Sequence, residues 1–213
     1  MKPKKQYAFI FPKLRFFLGL SFLFIVQLSI GQNLLRNGSF EGSPMHSTTP
    51  NHWIDCGFEG ESPPDIHPSG AFTVVREARH GDTYLGMVAR DNETWERLSQ
   101  KLLVPLQKGH SYELSGFIAR SDQYLSVSKM TDLQANYNGA LQLRIWGSNN
   151  AFQQKILLAE TGPIQSTNWK AFQLDFKTEE PFQFLIIEAY YVPNEMEPYN
   201  GNFLLDNLVL MEK

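Results

Sequence analysis

The 213-residue chain carries 19 basic and 22 acidic side chains, and five of the basic ones precede Phe16. Without those five, 14 basic residues face 22 acidic ones, a formal net charge of about −8. A field of this sign repels polyanions, so the composition argues against a nucleic-acid partner. The only cysteine is Cys56, and a single thiol cannot form an internal disulfide.

The amino-terminal segment has the pattern of an export signal. Its basic residues precede an apolar run from Phe16 to Ile30 that ends in Gly31. The run is short for a membrane span, which needs about 20 apolar residues. We therefore expect residues 1–31 to be a signal peptide, with an uncleaved anchor as the alternative. Residues 32–213 should form one domain of a secreted, periplasmic or cell-surface protein, with no membrane span after cleavage.

Most of the remaining chain predicts β-strands, because short alternating, β-branched or aromatic runs are separated by turn residues. The predicted strands are Thr73–Val75, Thr83–Ala89, Leu98–Val104, Tyr112–Ala119, Leu141–Gly147, Trp169–Phe176, Phe184–Val192 and Phe203–Leu210. The long, proline-rich segment 42–70 should wrap the domain as a loop. We expect an all-β fold, a two-sheet antiparallel jelly-roll sandwich.

Alternation within one predicted strand assigns its two faces. Leu141, Leu143 and Ile145 should point into the core, since successive side chains of a strand alternate. The intervening residues, Gln142, Arg144 and Trp146, should then be partly exposed on the other face.

The two ends of the domain carry matching motifs. The first is Asn37-Gly38-Ser39-Phe40-Glu41, which we expect in an opening strand, and the second is Leu205-Asp206-Asn207 in the last strand. Between them come Trp53, His80-Gly81, Leu98-Ser99-Gln100 and the run from Gly109 to Ser115. This succession resembles the galactose-binding-like jelly rolls, in particular carbohydrate-binding modules of the 4, 9 and 22 type.

The resemblance implies a structural calcium ion at one edge of the sandwich. In that family one carboxylate follows the aromatic residue of the first strand and another lies in the last strand, and Glu41 and Asp206 match those positions. Calcium accepts oxygen ligands in flexible number, backbone carbonyls included. The alternative is that both carboxylates pair with arginines or backbone N–H groups. Asp82, after the His80-Gly81 turn, is a further metal candidate, although an aspartate there also suits a simple turn.

The resemblance also implies binding of a glycan or polysaccharide, which requires exposed aromatic rings flanked by polar groups. The candidate rings are Trp95, Tyr137, Trp146 and Tyr190. Trp146 shares its predicted face with Gln142 and Arg144, while Glu188 and Tyr190 share a face of another strand. Trp and Tyr equally fill cores and rims, so each ring has packing as its alternative role. Trp53 and Trp169 we assign to the core.

Two other functional classes remain open at this stage. A surface module that contacts a protein partner could use the same exposed aromatic residues as an interface. A glycan-acting hydrolase would need a buried carboxylate with a raised pKa, whereas Glu93 with Glu96 and Glu179 with Glu180 fall in polar segments. The sequence holds no serine-hydrolase elbow, zinc-protease motif or phosphate loop. We therefore expect a protein that is not an enzyme.

Overall fold

The computed structural model describes residues 31–193 and 197–213. Residues 31–213 cluster as one unit, distinct from residues 1–30. The predicted signal peptide therefore lies, apart from Gly31, outside the described residues. Over the two described ranges, no helix is both long and apolar enough to cross a membrane.

Antiparallel strands dominate the described ranges, as the alternating sequence predicts. The strands are β1 (Ile54–Asp55), β2 (Asp65–His67), β3 (Tyr84–Arg90), β4 (Thr94–Trp95), β5 (Arg97–Leu106), β6 (Ser111–Arg120), β7 (Leu125–Val127), β8 (Gln134–Asn136), β9 (Leu141–Ser148), β10 (Ile156–Glu160), β11 (Lys170–Lys177), β12 (Phe182–Tyr191) and β13 (Gly201–Glu212). A single 3₁₀ turn covers Ala71–Thr73.

These strands form two main sheets. The first sheet has the order β1-β5-β12-β9-β10, and the second has the order β11-β6-β13-β3-β2, with β4 pairing to β3. Strands β7 and β8 form a separate hairpin. The prediction of an all-β jelly-roll sandwich is confirmed.

The main core lies between the inner faces of the two sheets. Leu141, Leu143 and Ile145 are fully buried in it, as their alternation predicts. Phe203 and Leu205 of β13 join it from the other sheet, equally buried. Burying side chains of this size stabilises the fold by roughly 1.5–3 kcal/mol each.

A smaller apolar cluster covers the outer face of the second sheet. It combines Tyr84 and Val88 of β3 with Leu204, Tyr124 and Tyr137. Because alternate β3 residues, such as Leu85 and Met87, belong to the main core, this cluster packs on the opposite side of the strand. The second sheet is thus apolar on both faces in this region.

The amino-terminal motif lies beside the last strand, but it forms no regular strand of its own. The Leu34 N–H donates to the Leu210 carbonyl at 2.8 Å, and the Leu208 N–H donates to the Gly38 carbonyl at 2.8 Å. Leu34 also accepts from the Leu103 N–H of β5, so this segment joins both sheets. The expected adjacency of the two ends is confirmed, whereas the expected opening strand is wrong.

Two predictions about strands and one about a tryptophan side chain also need correction. Thr73–Val75 forms no strand, because Thr73 ends the 3₁₀ turn at a left-handed φ of 67°. Segment 42–70 contains the short strands β1 and β2 within its loops. Trp53 is buried in the main core as expected, while Trp169 only flanks the smaller cluster.

Candidate functional site

Two tryptophans converge on one buried carboxylate at the outer face of the first sheet. The Trp95 Nε1 donates to Glu188 Oε1 and the Trp146 Nε1 donates to Glu188 Oε2, each at 2.7 Å. Gln154 adds a third donor, with its Nε2 2.6 Å from Oε1. We call Trp95, Trp146, Gln154 and Glu188 the indole cluster. Glu188 is 1% exposed, while both indoles remain partly exposed above it.

Strand pairing explains how residues distant in sequence meet here. Strands β9 and β12 pair antiparallel, with Glu188 opposite Arg144 and Tyr190 opposite Gln142. Trp146 lies on the same face as Arg144, one diagonal step from Glu188. The prediction that the alternate residues of these two strands share a face is confirmed.

Burial has the largest effect on the pKa of the Glu188 carboxyl. Loss of solvent raises its pKa, although the hydrogen bonds from Trp95 and Trp146 and the nearby guanidiniums of Arg97 and Arg144 oppose that rise. Both carboxylate oxygens accept hydrogen bonds, so the carboxyl is well placed to fix the two indole planes.

A second polar group flanks the cluster along β9. The Arg144 guanidinium stacks on the Tyr190 ring at 3.6 Å from its centroid, and its Nε donates to Glu160 Oε2 at 3.0 Å. The Gln142 amide donates to the same Glu160 oxygen at 3.0 Å. One face of Tyr190 is therefore covered by Arg144, while Trp95, Trp146 and Tyr190 each remain partly exposed.

Three predicted binding residues do not have the expected exposure, and Glu188, at 1%, is one of them. Gln142 is only 2% exposed, because its amide turns toward Glu160. Tyr137 is also 2% exposed, and it lies in the smaller cluster on the other sheet, where its hydroxyl donates to the Val127 carbonyl at 2.7 Å. The prediction of an exposed Tyr137 ring is wrong, because the β7–β8 hairpin folds that ring inward.

Sequence reasoning missed several members of this face. Gln154 and Glu160 come from a loop and a strand, β10, that the alternation pattern did not reveal. Arg97 lies just before the predicted strand Leu98–Val104 and was not a candidate, yet its Nη1 donates to Gln154 Oε1 at 2.6 Å and its guanidinium lies over the Phe58 ring. Register between strands brings these side chains together, and a single sequence gives no signal of register.

The candidate metal residues lie against one loop. Asp206 is fully buried, and its Oδ2 accepts the backbone N–H groups of Arg79 and His80, both at 2.8 Å. Its Oδ1 is buried with no hydrogen-bond partner among the described residues. Burial raises the pKa of Asp206 in spite of these hydrogen bonds.

Glu41 binds the next residues of that loop. Its two carboxylate oxygens lie 3.3 and 3.2 Å from the Asp82 N, and Oε2 also accepts from Thr83 Oγ1 at 3.3 Å. The Asp82 side chain itself is exposed. Glu41, near the start of the domain, and Asp206, in its last strand, thus both accept hydrogen bonds from loop 79–83.

The donor set has one feature that suits a calcium ion. The unpartnered, buried Oδ1 of Asp206 is a carboxylate oxygen that a hard cation would satisfy. No group of three or more His, Cys, Asp or Glu side chains suited to a metal occurs in ranges 31–193 and 197–213. Remaining ligands would therefore have to be backbone carbonyls or water, both of which calcium accepts.

Comparison with known proteins identifies the fold. No protein-family model matches the sequence, and no curated protein matches it. The chain is similar to the K2 cleaved adhesin domain of Lys-gingipain, with TM-score 0.53, 12% identity, and coverage of 81% of this chain and 96% of that one. It is similar to a Stig cyclase, Fisc, from Fischerella sp. TAU, with TM-score 0.52, 15% identity, and coverage of 85% and 96%.

A third solved structure is a carbohydrate-binding domain. The CBM22-1 xylan-binding domain of Paenibacillus barcinonensis Xyn10C aligns with TM-score 0.50 and 15% identity, over 85% of this chain and 95% of that one. At such identities the likeness concerns the fold. The chain and these structures share the two-sheet jelly-roll sandwich that the sequence predicted.

Proposed function

We propose that this protein is an exported, non-catalytic carbohydrate-binding module whose ligand lies on the indole cluster. The observation that carries the proposal is the convergence of Trp95 and Trp146 on the two oxygens of Glu188. A ring fixed by its N–H offers a flat apolar surface without further loss of rotamer freedom on binding. Arg97, Arg144 and Gln154 place hydrogen-bonding groups beside it, as a hydroxyl-rich ligand requires.

Glu188 supports a binding role more than a catalytic one. Three N–H donors occupy its two oxygens, so the carboxyl holds the rings in place and has little capacity left for a reacting group. Export is supported by the basic and apolar pattern of residues 1–31.

Replacement of Trp146 tests the proposal. Trp146→Ala should weaken retention on soluble xylan or β-glucan in affinity gels at least tenfold, about 1.4 kcal/mol, because the stacking surface is lost. Trp169→Ala is the matched control, since Trp169 is also partly exposed but packs against Tyr84 on the other sheet. Equal retention of Trp146→Ala and the parent protein, or no retention of the parent on a broad glycan array, would contradict it.

An adhesive surface module is the second candidate, and one observation favours it. Hairpin β7–β8 exposes Val127, Met130 and Leu133 by 54%, 68% and 68%. Such a patch suits contact with another protein. A protein partner recovered on the parent chain but lost on Met130→Ser with Leu133→Ser, together with silence across glycans, would favour this candidate over the first.

We further propose that Asp206 and Glu41 hold a structural calcium ion against loop 79–83. Calcium at 100 times its dissociation constant should raise the free energy of unfolding by about 2.7 kcal/mol, and a chelator should reverse the gain. Asp206→Asn should abolish the response, because a neutral amide is a weaker calcium ligand than a carboxylate. Asp122→Asn, at an exposed aspartate, is the control and should retain it. An unchanged response in Asp206→Asn would contradict the proposal.

A further inference from the structure

A cavity of about 340 Å³ lies on the outer side of the second sheet, between β3 and the β7–β8 hairpin. Its lining includes Val88, Arg90, Tyr124, Ser126, Lys129 and Tyr137. None of the four indole cluster residues lines this cavity. Glu188 and Trp146 belong to the first sheet, and the Trp95 indole, on β4 beside β3, donates to Glu188, so the cavity is a separate site. Its volume falls at the lower end of the range of small-molecule pockets.

A buried arginine in the lining has an unused donor. The Arg90 side chain is only 5% exposed. Its Nη2 donates to Glu96 Oε1 at 2.6 Å and to Ser62 Oγ at 3.1 Å, and its Nε lies 3.5 Å from Glu61 Oε2. Its Nη1 is buried and finds no hydrogen-bond partner within the described ranges. Buried N–H groups are nearly always paired, so this nitrogen calls for an acceptor.

Charge around the arginine restricts what that acceptor can be. Burial raises the pKa of Glu96 to about 8, although Arg90 opposes that rise. Both Glu96 oxygens accept hydrogen bonds, from Arg90 Nη2 and from the Val88 N–H. Glu61 also faces the Arg90 guanidinium, and Lys129 Nζ lies 3.3 Å from Glu61 Oε2. Asp132 adds a further negative charge to the lining. A carboxylate or phosphate would therefore meet three acidic side chains, whereas a hydroxyl or carbonyl oxygen would accept from Nη1 without adding charge.

Three aromatic rings, of Phe72, Tyr124 and Tyr137, form part of the wall, and they are held in place. The Phe72 ring stacks on Tyr124 with centroids 4.5 Å apart and planes 13° apart. The Tyr124 hydroxyl donates to Asp65 Oδ2 at 2.9 Å, and its ring contacts Tyr137. Phe72 has a left-handed φ of 54°, a conformation that non-glycine residues adopt when the surrounding structure imposes it, often at binding sites.

We propose that this cavity is a second ligand site, which takes a small neutral molecule rich in hydroxyl groups, of the size of one sugar ring. The apolar side of such a molecule packs on the Phe72 and Tyr124 rings, and one of its oxygens accepts from Arg90 Nη1. The site is independent of glycan binding at the indole cluster.

Nuclear magnetic resonance titration of the domain with D-glucose, D-galactose and D-xylose, each added separately, tests this site. We expect at least one sugar to cause saturable shift changes at the amides of residues 124–129 and at the Arg90 Nε–H. The indole N–H signal of Trp146, on β9 of the first sheet, reports the other site in the same spectra. Failure at one site is therefore distinguishable from failure at the other.

A pair of variants at Ser126 controls for space. Ser126→Phe fills the cavity and should remove the saturable shifts, whereas Ser126→Ala keeps the space and should retain them. If Ser126→Phe does not fold, Arg90→Lys decides, because it keeps the positive charge but loses the forked donor, and it should weaken the titration at least tenfold. Absence of saturable shifts with all three sugars overturns the proposal. Persistence of the saturable shifts in Ser126→Phe also overturns it. If Ser126→Phe does not fold, persistence of those shifts in Arg90→Lys overturns it.

Discussion

At the scale of single residues, one glycine allows the close approach of the chain ends to loop 79–83. Gly81 has a left-handed φ of 64°, and a Cβ at this position would lie 1.8 Å from Glu41 Oε1. A side chain here would be strained twice, by the backbone conformation and by the clash with the carboxylate. Gly81 therefore makes the Glu41 contact with the loop possible.

Replacing this glycine should separate the two kinds of strain. Gly81→Ala should lower the free energy of unfolding by about 1 kcal/mol for the left-handed backbone, and further for displacement of Glu41. Gly109→Ala is the matched control, since Gly109 also has a left-handed φ of 81° but has open space around it. Urea denaturation of both variants should show the larger loss for Gly81→Ala. Equal losses would mean that Glu41 moves away at no cost.

At the scale of elements, the amino-terminal segment joins both sheets without being a strand. The Asn33 side chain makes hydrogen bonds to β13 in place of some that the backbone of a regular strand would make. The Asn33 Oδ1 accepts from the Leu210 N–H at 3.0 Å and from the Leu35 N–H at 3.1 Å, and its Nδ2 donates to the Leu208 carbonyl at 3.2 Å. A side-chain amide can do this because it has the same donor and acceptor as the backbone.

Loss of that amide should detach the segment from β13. Asn33→Ala should lower the free energy of unfolding by about 1–3 kcal/mol, because the Leu210 and Leu208 backbone groups lose partners. Hydrogen exchange at the Leu210 N–H should accelerate in parallel. Asn168→Ala, at an exposed asparagine, should change the free energy of unfolding by no more than about 0.5 kcal/mol. It should leave hydrogen exchange at the Leu210 N–H unchanged. Unchanged exchange at Leu210 in Asn33→Ala would show that the segment stays bound without the amide.

At the scale of the whole molecule, burial of ionisable groups beside β3 connects stability to pH. His67 is fully buried against Tyr84, and burial lowers its pKa from 6.5 to about 4. The folded protein keeps this ring neutral at pH values where the unfolded chain already binds a proton. The contribution of His67 to stability should therefore fall as the pH drops from about 6.5 to 4, by at most about 3 kcal/mol.

The slope of stability against pH is the measurement for His67. The stability of the parent protein relative to His67→Gln should decrease between pH 7 and pH 4.5, because only the parent carries the buried imidazole. The raised pKa of Glu96, about 8, acts with the opposite sign in both proteins and cancels in this difference. His52→Gln, at an exposed histidine, should leave the slope as in the parent. Retention of the full slope in His67→Gln would assign the acid sensitivity to other groups.

Prediction from sequence succeeded where a long run of alternating residues decides which side chains of a strand are buried. Strict alternation identified β9 and the buried Leu141, Leu143 and Ile145. It failed for the short strands β7, β8 and β10, because segments of three to five residues carry too few alternations to stand out. The exposure of Tyr137 was predicted wrongly for the same reason, since an unrecognised hairpin buries it.

The sequence by itself determined the all-β class and the inner faces of the long strands, because alternation is a local property of the chain, while the resemblance carried by the terminal motifs implied that the two chain ends lie together. Only the tertiary structure decided which polar groups meet: the Glu188 carboxyl beneath two indoles, the Asp206 carboxylate on loop 79–83, and Arg90 in its cavity. These contacts depend on the register of strands far apart in sequence, and a one-residue shift in register would place each side chain on the opposite face.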